Sequence, residues 1–105
     1  MFETLEIERD GAVATVWMNR PERHNAFNAR VIGELTEAFA TLGADASVRV
    51  VVLAGRGKSF SAGADLEWMK AAGEASFEDN LADARRLAAM LRTIGECPKP
   101  TVARV

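Results

Sequence analysis

The chain has 105 residues, a length that suits one small domain and not two. Hydrophobic residues make up 49% of it and its formal net charge is −2, which excludes a long-range attraction to nucleic-acid phosphates or to anionic membranes. The single cysteine excludes an internal disulfide and a cysteine-only metal cage, and we expect no metal site.

The N-terminus and the hydropathy pattern predict a cytoplasmic protein. Residues 1–6 lack the basic segment and the apolar core of a signal peptide. Their acidic side chains are also atypical of a mitochondrial transit peptide. No stretch approaches the run of about 18 apolar residues that a membrane helix needs.

A β-hairpin is predicted at the start of the chain. Two extended segments, Thr4–Arg9 and Ala12–Met18, flank Asp10-Gly11, a dipeptide that is typical of hairpin turns. The residues from Asn19 to Asn25 include a proline and several charged side chains, which favours a loop.

An amphipathic helix and a strand are predicted next. Asn28 is a suitable N-cap, apolar residues recur behind it at helical spacing, and Gly43 is expected to end the helix. The apolar stripe consists of Ile32, Leu35, Phe39 and Leu42. The valine-rich run Val48–Ala54 then predicts a strand that is buried on both faces.

Two more helices and a strand are predicted in the second half of the chain. A short helix starts near Asp65, and a longer one follows Ser76, ends at Gly95 and has an approximate capping box with Asp79. The expected apolar face of the longer helix is Phe77, Leu81, Ala84, Leu87, Leu91 and Ile94. The order β-β-α-β-loop-α-α-β predicts an α/β protein. Because residues 101–105 end the chain within an apolar β segment, we expect a fragment.

The loop Gly55–Gly63 is the most informative stretch for function. It follows a predicted buried strand and precedes a helix, the usual position of ligands in α/β proteins. Gly57-Lys58-Ser59 resembles the end of a P-loop, but Val52 stands where the opening glycine is required. Phe60 stands where a dinucleotide fingerprint requires its third glycine, so both phosphate motifs are excluded.

The segment Ser61–Asp65 combines small residues with a carboxylate that can cap the next helix. Small side chains let a ligand approach the backbone, and the N–H groups at a helix N-terminus can point at a developing negative charge. This is the geometry of an oxyanion hole. A simple glycine turn before a capped helix has the same local pattern.

Four ordered segments closely resemble motifs of the crotonase superfamily, the enoyl-CoA hydratase/isomerase family. Phe60–Leu66 resembles its F-x-A-G-A-D-L/I segment, and Met18–Asn28 resembles its N-R-P-x-x-x-N-A-L/F-N segment. The predicted strand Val48–Ala54 lies between them in the expected order, and Lys99–Val105 resembles the K-P-x-I/V-A-x-V run. The resemblance implies a truncated crotonase-like ββα superhelix, the ClpP/crotonase fold, with residues 1–105 as the N-terminal part of a single domain.

The resemblance also implies a site for an acyl-CoA thioester, which binds as the substrate without a separate cofactor. The Ala64 N–H would be the first of two oxyanion-hole donors to the thioester carbonyl oxygen. His24 would lie near the CoA phosphates as a loop residue, and a general-base role for it is disfavoured. The residues implied for the CoA site are His24, Ala26, Ala62, Gly63, Ala64, Asp65 and Leu66.

The implied reaction is the reversible hydration of a trans-2-enoyl-CoA through an enolate. The family places the two glutamates for this acid–base task beyond Val105. The nearest alternatives are Δ3-Δ2 isomerisation, another acyl-CoA reaction of the family, or a non-catalytic CoA-binding module. RNA binding, known for one relative of the family, is disfavoured by the near-neutral charge. The resemblance further implies a homotrimer or hexamer, with neither a nucleic-acid partner nor a membrane.

Overall fold

The computed structural model describes residues 2–105 as strands and helices in the predicted order, with one 3-10 helix added in the predicted loop. The elements are β1 (Leu5–Asp10), β2 (Val13–Met18), the 3-10 helix (Pro21–Arg23), α1 (Ala29–Ala44), β3 (Val50–Gly55), α2 (Leu66–Glu74), α3 (Phe77–Gly95) and β4 (Thr101–Arg104).

The predicted hairpin is formed by β1 and β2. The two strands are antiparallel, with Leu5 opposite Met18 and Asp10 opposite Val13. Asp10 is still paired, so the turn begins at Gly11, one residue later than the start of the predicted dipeptide. Gly11 has a φ of 61°, a left-handed conformation that glycine adopts without a steric penalty.

The sheet continues in parallel from β2 to β3 and from β3 to β4, in the order β1-β2-β3-β4. Parallel neighbours need a crossover, which α1 supplies for the first pair and α2 with α3 for the second. Met18 lies opposite Gly55, so β2 and β3 end at the same edge of the sheet. The loops that follow these two strands therefore start side by side.

The core lies between one face of this sheet and α1. Ala14, Val16 and Met18 alternate along β2 and are buried, and Val51 of β3 lies opposite Ala14 on the same face. Asn28 caps α1 as predicted, because its side chain accepts a hydrogen bond from the Val31 N–H. The predicted apolar stripe of α1, which is buried throughout, is Ile32, Leu35, Phe39 and Leu42.

Two predictions in this region were wrong. Gly43 does not end α1, which continues to Ala44. Gly43 is buried instead, and a Cβ built on it would lie 3.1 Å from the Pro98 Cδ, so the glycine permits close packing against the segment before β4. The strand β3 is not buried on both faces among residues 2–105, since Val50 and Val52 are only half-buried.

The predicted apolar face of α3 was also wrong in part. Met90, which the prediction omitted, is the buried residue of this helix at 2% exposure. Leu87 and Ile94 pack against the core beside it, as predicted. The predicted members that are exposed are Phe77, Leu81, Ala84 and Leu91. The core therefore contacts α3 through its C-terminal half, where the helix lies against α1. In residues 2–105 no helix is long and apolar enough to cross a bilayer.

Candidate functional site

The loops that follow β2 and β3 are joined at the edge of the sheet where both strands end. The Ala62 N–H donates to the His24 carbonyl oxygen at 2.9 Å. The Ser61 hydroxyl donates to the Asn25 carbonyl oxygen, also at 2.9 Å. These bonds place residues 61–65 against residues 24–28, although more than 30 residues separate the two segments in the chain.

Phe27 and Ala64 form an isolated parallel bridge between these segments. The Phe27 N–H donates to the Gly63 carbonyl at 2.7 Å, and the Phe27 carbonyl accepts from the Asp65 N–H at 2.7 Å. In parallel pairing, the residue between two such partners directs its own N–H and C=O to the opposite side. The Ala64 N–H therefore points away from Phe27, and it has no acceptor within residues 2–105.

The turn before Ala64 depends on Gly63. Its φ of 91° lies in the left-handed region, where a Cβ would be strained although no neighbouring atom blocks it. The Gly63 N–H donates to the Ser61 hydroxyl at 3.2 Å. The small residues that the sequence singled out thus form the turn that presents the Ala64 amide.

Asp65 begins α2 as its N-cap, as predicted, and it also forms an ion pair. Its Oδ1 accepts a hydrogen bond from the Trp68 N–H at 3.1 Å. Its Oδ2 lies 3.1 Å from the Arg20 Nη2, and the side chains of Asp65 and Arg20 are only 5% and 14% exposed. The Trp68 N–H lowers the pKa of Asp65, burial opposes this effect, and Arg20 lowers the pKa further. This carboxylate is therefore ionised and engaged in holding the loop.

Arg20 and Asn25 belong to the site, and sequence reasoning gave neither a role. The Asn25 side chain accepts from the Arg20 N–H and donates to the Arg56 and Ser59 carbonyls, each at 2.8 Å. Asn25 is 1% exposed and has a φ of 55°, a conformation that asparagine tolerates better than most residues. The signal was present in the N-R-P-x-x-x-N segment, where both residues occupy fixed letters of the pattern.

A cleft of about 410 Å³ opens between the two loops and the start of α2. Its lining residues are Glu22, Arg23, His24, Ala26, Ala62, Ala64, Asp65 and Leu66. The structure thus brings together every residue predicted for the site except Gly63, which stands between two of them in the chain. His24 is exposed, and its Nδ1 lies 3.3 Å from the Ser59 hydroxyl.

The rim of the cleft carries charge of both signs. The Arg23 Nη2 lies 3.4 Å from the Glu67 Oε1, and the two side chains are 47% and 76% exposed. An ion pair this exposed is screened by solvent and contributes little to stability.

Comparison with known proteins gives the same assignment as the motifs. Residues 8–105 match the family model of enoyl-CoA hydratase/isomerase. A relative from Thermus thermophilus, which carries an enoyl-CoA hydratase name, is 42% identical over 101 residues, which cover 96% of this chain and 40% of the relative. The enoyl-CoA hydratase AKT6-1 of Alternaria alternata is 34% identical over 100 residues, which cover 95% of this chain and 32% of that protein.

Solved structures extend the likeness to the fold. An enoyl-CoA hydratase from Shewanella pealeana superposes with a TM-score of 0.94 at 35% identity, covering 97% of this chain and 38% of that one. An enoyl-CoA hydratase from Mycobacterium smegmatis superposes with a TM-score of 0.90 at 41% identity, covering 98% of this chain and 40% of that one. The sheet, its crossovers and its loop-built cleft define an α/β protein of the crotonase fold, as predicted.

The chain belongs to the enoyl-CoA hydratase/isomerase family, within the crotonase superfamily. It spans 40% of the length of the Thermus relative and 32% of the length of the Alternaria relative.

Proposed function

We propose that residues 1–105 form the N-terminal part of a single crotonase-family domain and supply one wall of its acyl-CoA site. The observation that carries the proposal is the Ala64 N–H, which belongs to a residue lining the cleft and has no acceptor within residues 2–105. The enoyl-CoA hydratase names of the relatives and solved structures support an acyl-CoA thioester as the ligand.

In this proposal the Ala64 N–H donates to the thioester carbonyl oxygen. When the thioester becomes an enolate, negative charge develops on that oxygen, and one well-aimed donor is typically worth about 3 kcal/mol. The start of α2 at Leu66 adds a favourable potential, because the N-terminus of a helix carries partial positive charge.

The remainder of the cleft would hold the CoA moiety. Ala26, Ala62 and Gly63 have small side chains or none, so the ligand can reach the backbone, and the backbone near Ala62 and Leu66 would meet the adenine. His24 would lie near the phosphates, beside the Arg23 guanidinium, which is a permanent cation. No separate cofactor is needed for this binding mode.

The reaction that we propose for the whole domain is reversible hydration of a trans-2-enoyl-CoA in the cytoplasm. Water adds its hydroxyl to Cβ, the enolate forms, and Cα takes a proton, which needs an acid–base pair. Asp65 is committed to its cap and to Arg20, so we assign this task to glutamates that the family carries after position 105. The whole protein is proposed to be a homotrimer or hexamer without nucleic-acid or membrane partners.

The test of this proposal removes the Ala64 N–H. Ala64→Pro removes this N–H and deletes no hydrogen bond within residues 2–105, and circular dichroism of the variant checks that the fold is kept. In a protein that carries the complete family domain, the variant should lower kcat for enoyl-CoA hydration by about 100- to 1,000-fold.

Ala64→Ser keeps the N–H and nearly the same size, so it is the matched control. In the 105-residue chain, titration with butanoyl-CoA should shift the amide resonance of residue 64 both in the wild type and in Ala64→Ser. Hydration by Ala64→Pro at the wild-type rate would contradict the proposed site.

A further inference from the structure

We infer that Arg20 is a positioning residue, which holds the Ala64 N–H in the direction that a thioester carbonyl requires. The inference rests on the proposed function of Ala64. It goes beyond that function because Arg20 does not line the cleft and acts only through the residues that it contacts.

One guanidinium joins both sides of the Phe27–Ala64 bridge. The Arg20 Nη1 donates to the carbonyl of Ala26, which precedes Phe27. The Arg20 Nη2 donates to the carboxylate of Asp65, which follows Ala64, at 3.1 Å. Arg20 therefore fixes the distance between the two segments at the point where the Ala64 amide is presented.

The backbone of Arg20 is itself held in place by Asn25. The Arg20 N–H donates to the Asn25 Oδ1, and the Arg20 carbonyl accepts from the Asn25 N–H, both at 2.8 Å. A planar guanidinium donates to the carbonyl and the carboxylate from a rigid fork, whereas a lysine ammonium on a flexible stem does not fix the angle between its two acceptors. With the ion pair almost buried, loss of Arg20 leaves the Asp65 charge without its cation.

Loss of the guanidinium should rotate the turn at Gly63 and misdirect the Ala64 N–H. The links that remain between the two segments are the two bonds to Phe27 and those from Ala62 to His24 and from Ser61 to Asn25, none of which reaches Ala26 or the Asp65 carboxylate. Misplacement by about 1 Å is enough to weaken an aligned catalytic contact about 100-fold.

Binding of two ligands distinguishes a positioning role of Arg20 from a general contribution of Arg20 to stability. Butanoyl-CoA has the thioester carbonyl, and S-butyl-CoA is a thioether that lacks it but keeps every other CoA contact. If the Ala64 N–H binds the carbonyl, the wild-type chain should bind the thioester about fivefold more tightly than the thioether, the value of one net hydrogen bond. In Arg20→Met this ratio should fall to about one, while the affinity for S-butyl-CoA stays within about twofold of the wild type.

Arg9→Met is the control variant, since it removes another arginine–aspartate pair, Arg9 with Asp45 at 3.0 Å, outside the cleft. It should keep the fivefold ratio. If Arg20→Met does not fold, Arg20→Gln makes the same test, because its amide can donate a hydrogen bond but lacks the charge and the fork that join the Ala26 carbonyl to Asp65. Arg20→Lys should give an intermediate ratio.

A ratio that remains fivefold in Arg20→Met or Arg20→Gln would overturn the positioning role. An equal loss of affinity for both ligands would also overturn it, since it would show a purely structural residue. A wild-type ratio of one would instead overturn the proposed function of Ala64, and the role of Arg20 with it.

Discussion

Glu34 is a buried carboxylate that ties the first residues of the chain to α1. Its oxygens accept hydrogen bonds from the Glu3 N–H at 3.0 Å, the Thr4 N–H at 2.8 Å and the Thr4 hydroxyl at 2.7 Å. Burial raises the pKa of Glu34, but the Glu3 and Thr4 amides, the Thr4 hydroxyl and Arg30 outweigh it, and the pKa lies below its ordinary value. The folded chain therefore stabilises the ionised form of Glu34.

We predict that the free energy of unfolding falls as the pH drops below about 4. The folded chain lowers the pKa of Glu34 and Asp65, and the Ser47 hydroxyl and amide with Arg9 lower that of Asp45 to about 2. A carboxyl whose folded pKa is depressed stabilises the fold above its unfolded pKa, and this stabilisation is lost as the pH falls through the folded value. Urea unfolding between about pH 7 and pH 3 measures the decline.

Glu34→Gln measures how much of the loss of unfolding free energy at low pH comes from Glu34. The variant should be less stable by about 1–3 kcal/mol at neutral pH, because the buried Thr4 groups lose a charged acceptor, and its stability should depend less on pH. Glu37→Gln, an exposed position on the same helix, is the control and should behave as the wild type. Identical pH slopes for Glu34→Gln and the wild type would refute the role of Glu34.

At the scale of elements, α1 contains two glycines with different surroundings. A Cβ added to Gly33 meets no atom within 4 Å, whereas one added to Gly43 meets the Pro98 Cδ at 3.1 Å and the Cys97 Sγ at 3.5 Å. We predict that Gly33→Ala raises the free energy of unfolding by about 0.5–1 kcal/mol through helix propensity. Gly43→Ala gains the same propensity but must displace Pro98, so it should be less stable than Gly33→Ala. Thermal unfolding of the two variants tests the difference, and equal midpoints would contradict it.

Local signals predicted the elements well because their causes are local. The Asn28 and Ser76 caps bond to amides three residues away, and Gly11 needs only its own φ. The role of Gly43 and the packed face of α3 depend on Pro98 and α1, which are distant in the chain. Helical spacing alone therefore could not choose Met90 over Leu91.

The contrast between local and distant contacts also applies to the residues of the cleft. The local pattern of small residues, a glycine turn and a cap drew attention to the segment Ser61–Asp65, and the family resemblance then implied the roles of Ala62, Ala64 and Asp65. Arg20 was missed because its partner Asp65 is 45 residues away, and no local pattern pairs them. The resemblance placed Arg20 and Asn25 in a motif, but only the three-dimensional contacts give them a task.

At the scale of the whole molecule, β4 forms one edge of the sheet within residues 2–105. β4 pairs with β3 on one side only within residues 2–105, and all of its residues are exposed. Val102 on this strand is 51% exposed, and Arg56 lies 3.9 Å from the ring of Trp17 on the same face. The unpaired N–H and C=O groups of an edge strand are a template for association with another chain.

We predict that Val102→Lys reduces self-association of the 105-residue chain, because a charge on an edge strand opposes edge-to-edge pairing. Light scattering over a concentration series measures the effect. Ala46→Lys adds the same charge at an exposed loop position away from β4 and should associate as the wild type does. Equal scattering from Val102→Lys and Ala46→Lys would show that the edge does not drive association.

The long separations between the partners at the cleft have a consequence for the order of folding. The hairpin of β1 and β2 closes around two turn residues, whereas the Arg20–Asp65 pair and the Asn25–Ser59 bond close loops of 45 and 34 residues. Long loops close later because their closure loses more chain entropy before any contact compensates. We therefore expect the hairpin to form first, and the cleft to form later together with the pairing of β2 and β3, whose partners Met18 and Gly55 are 37 residues apart.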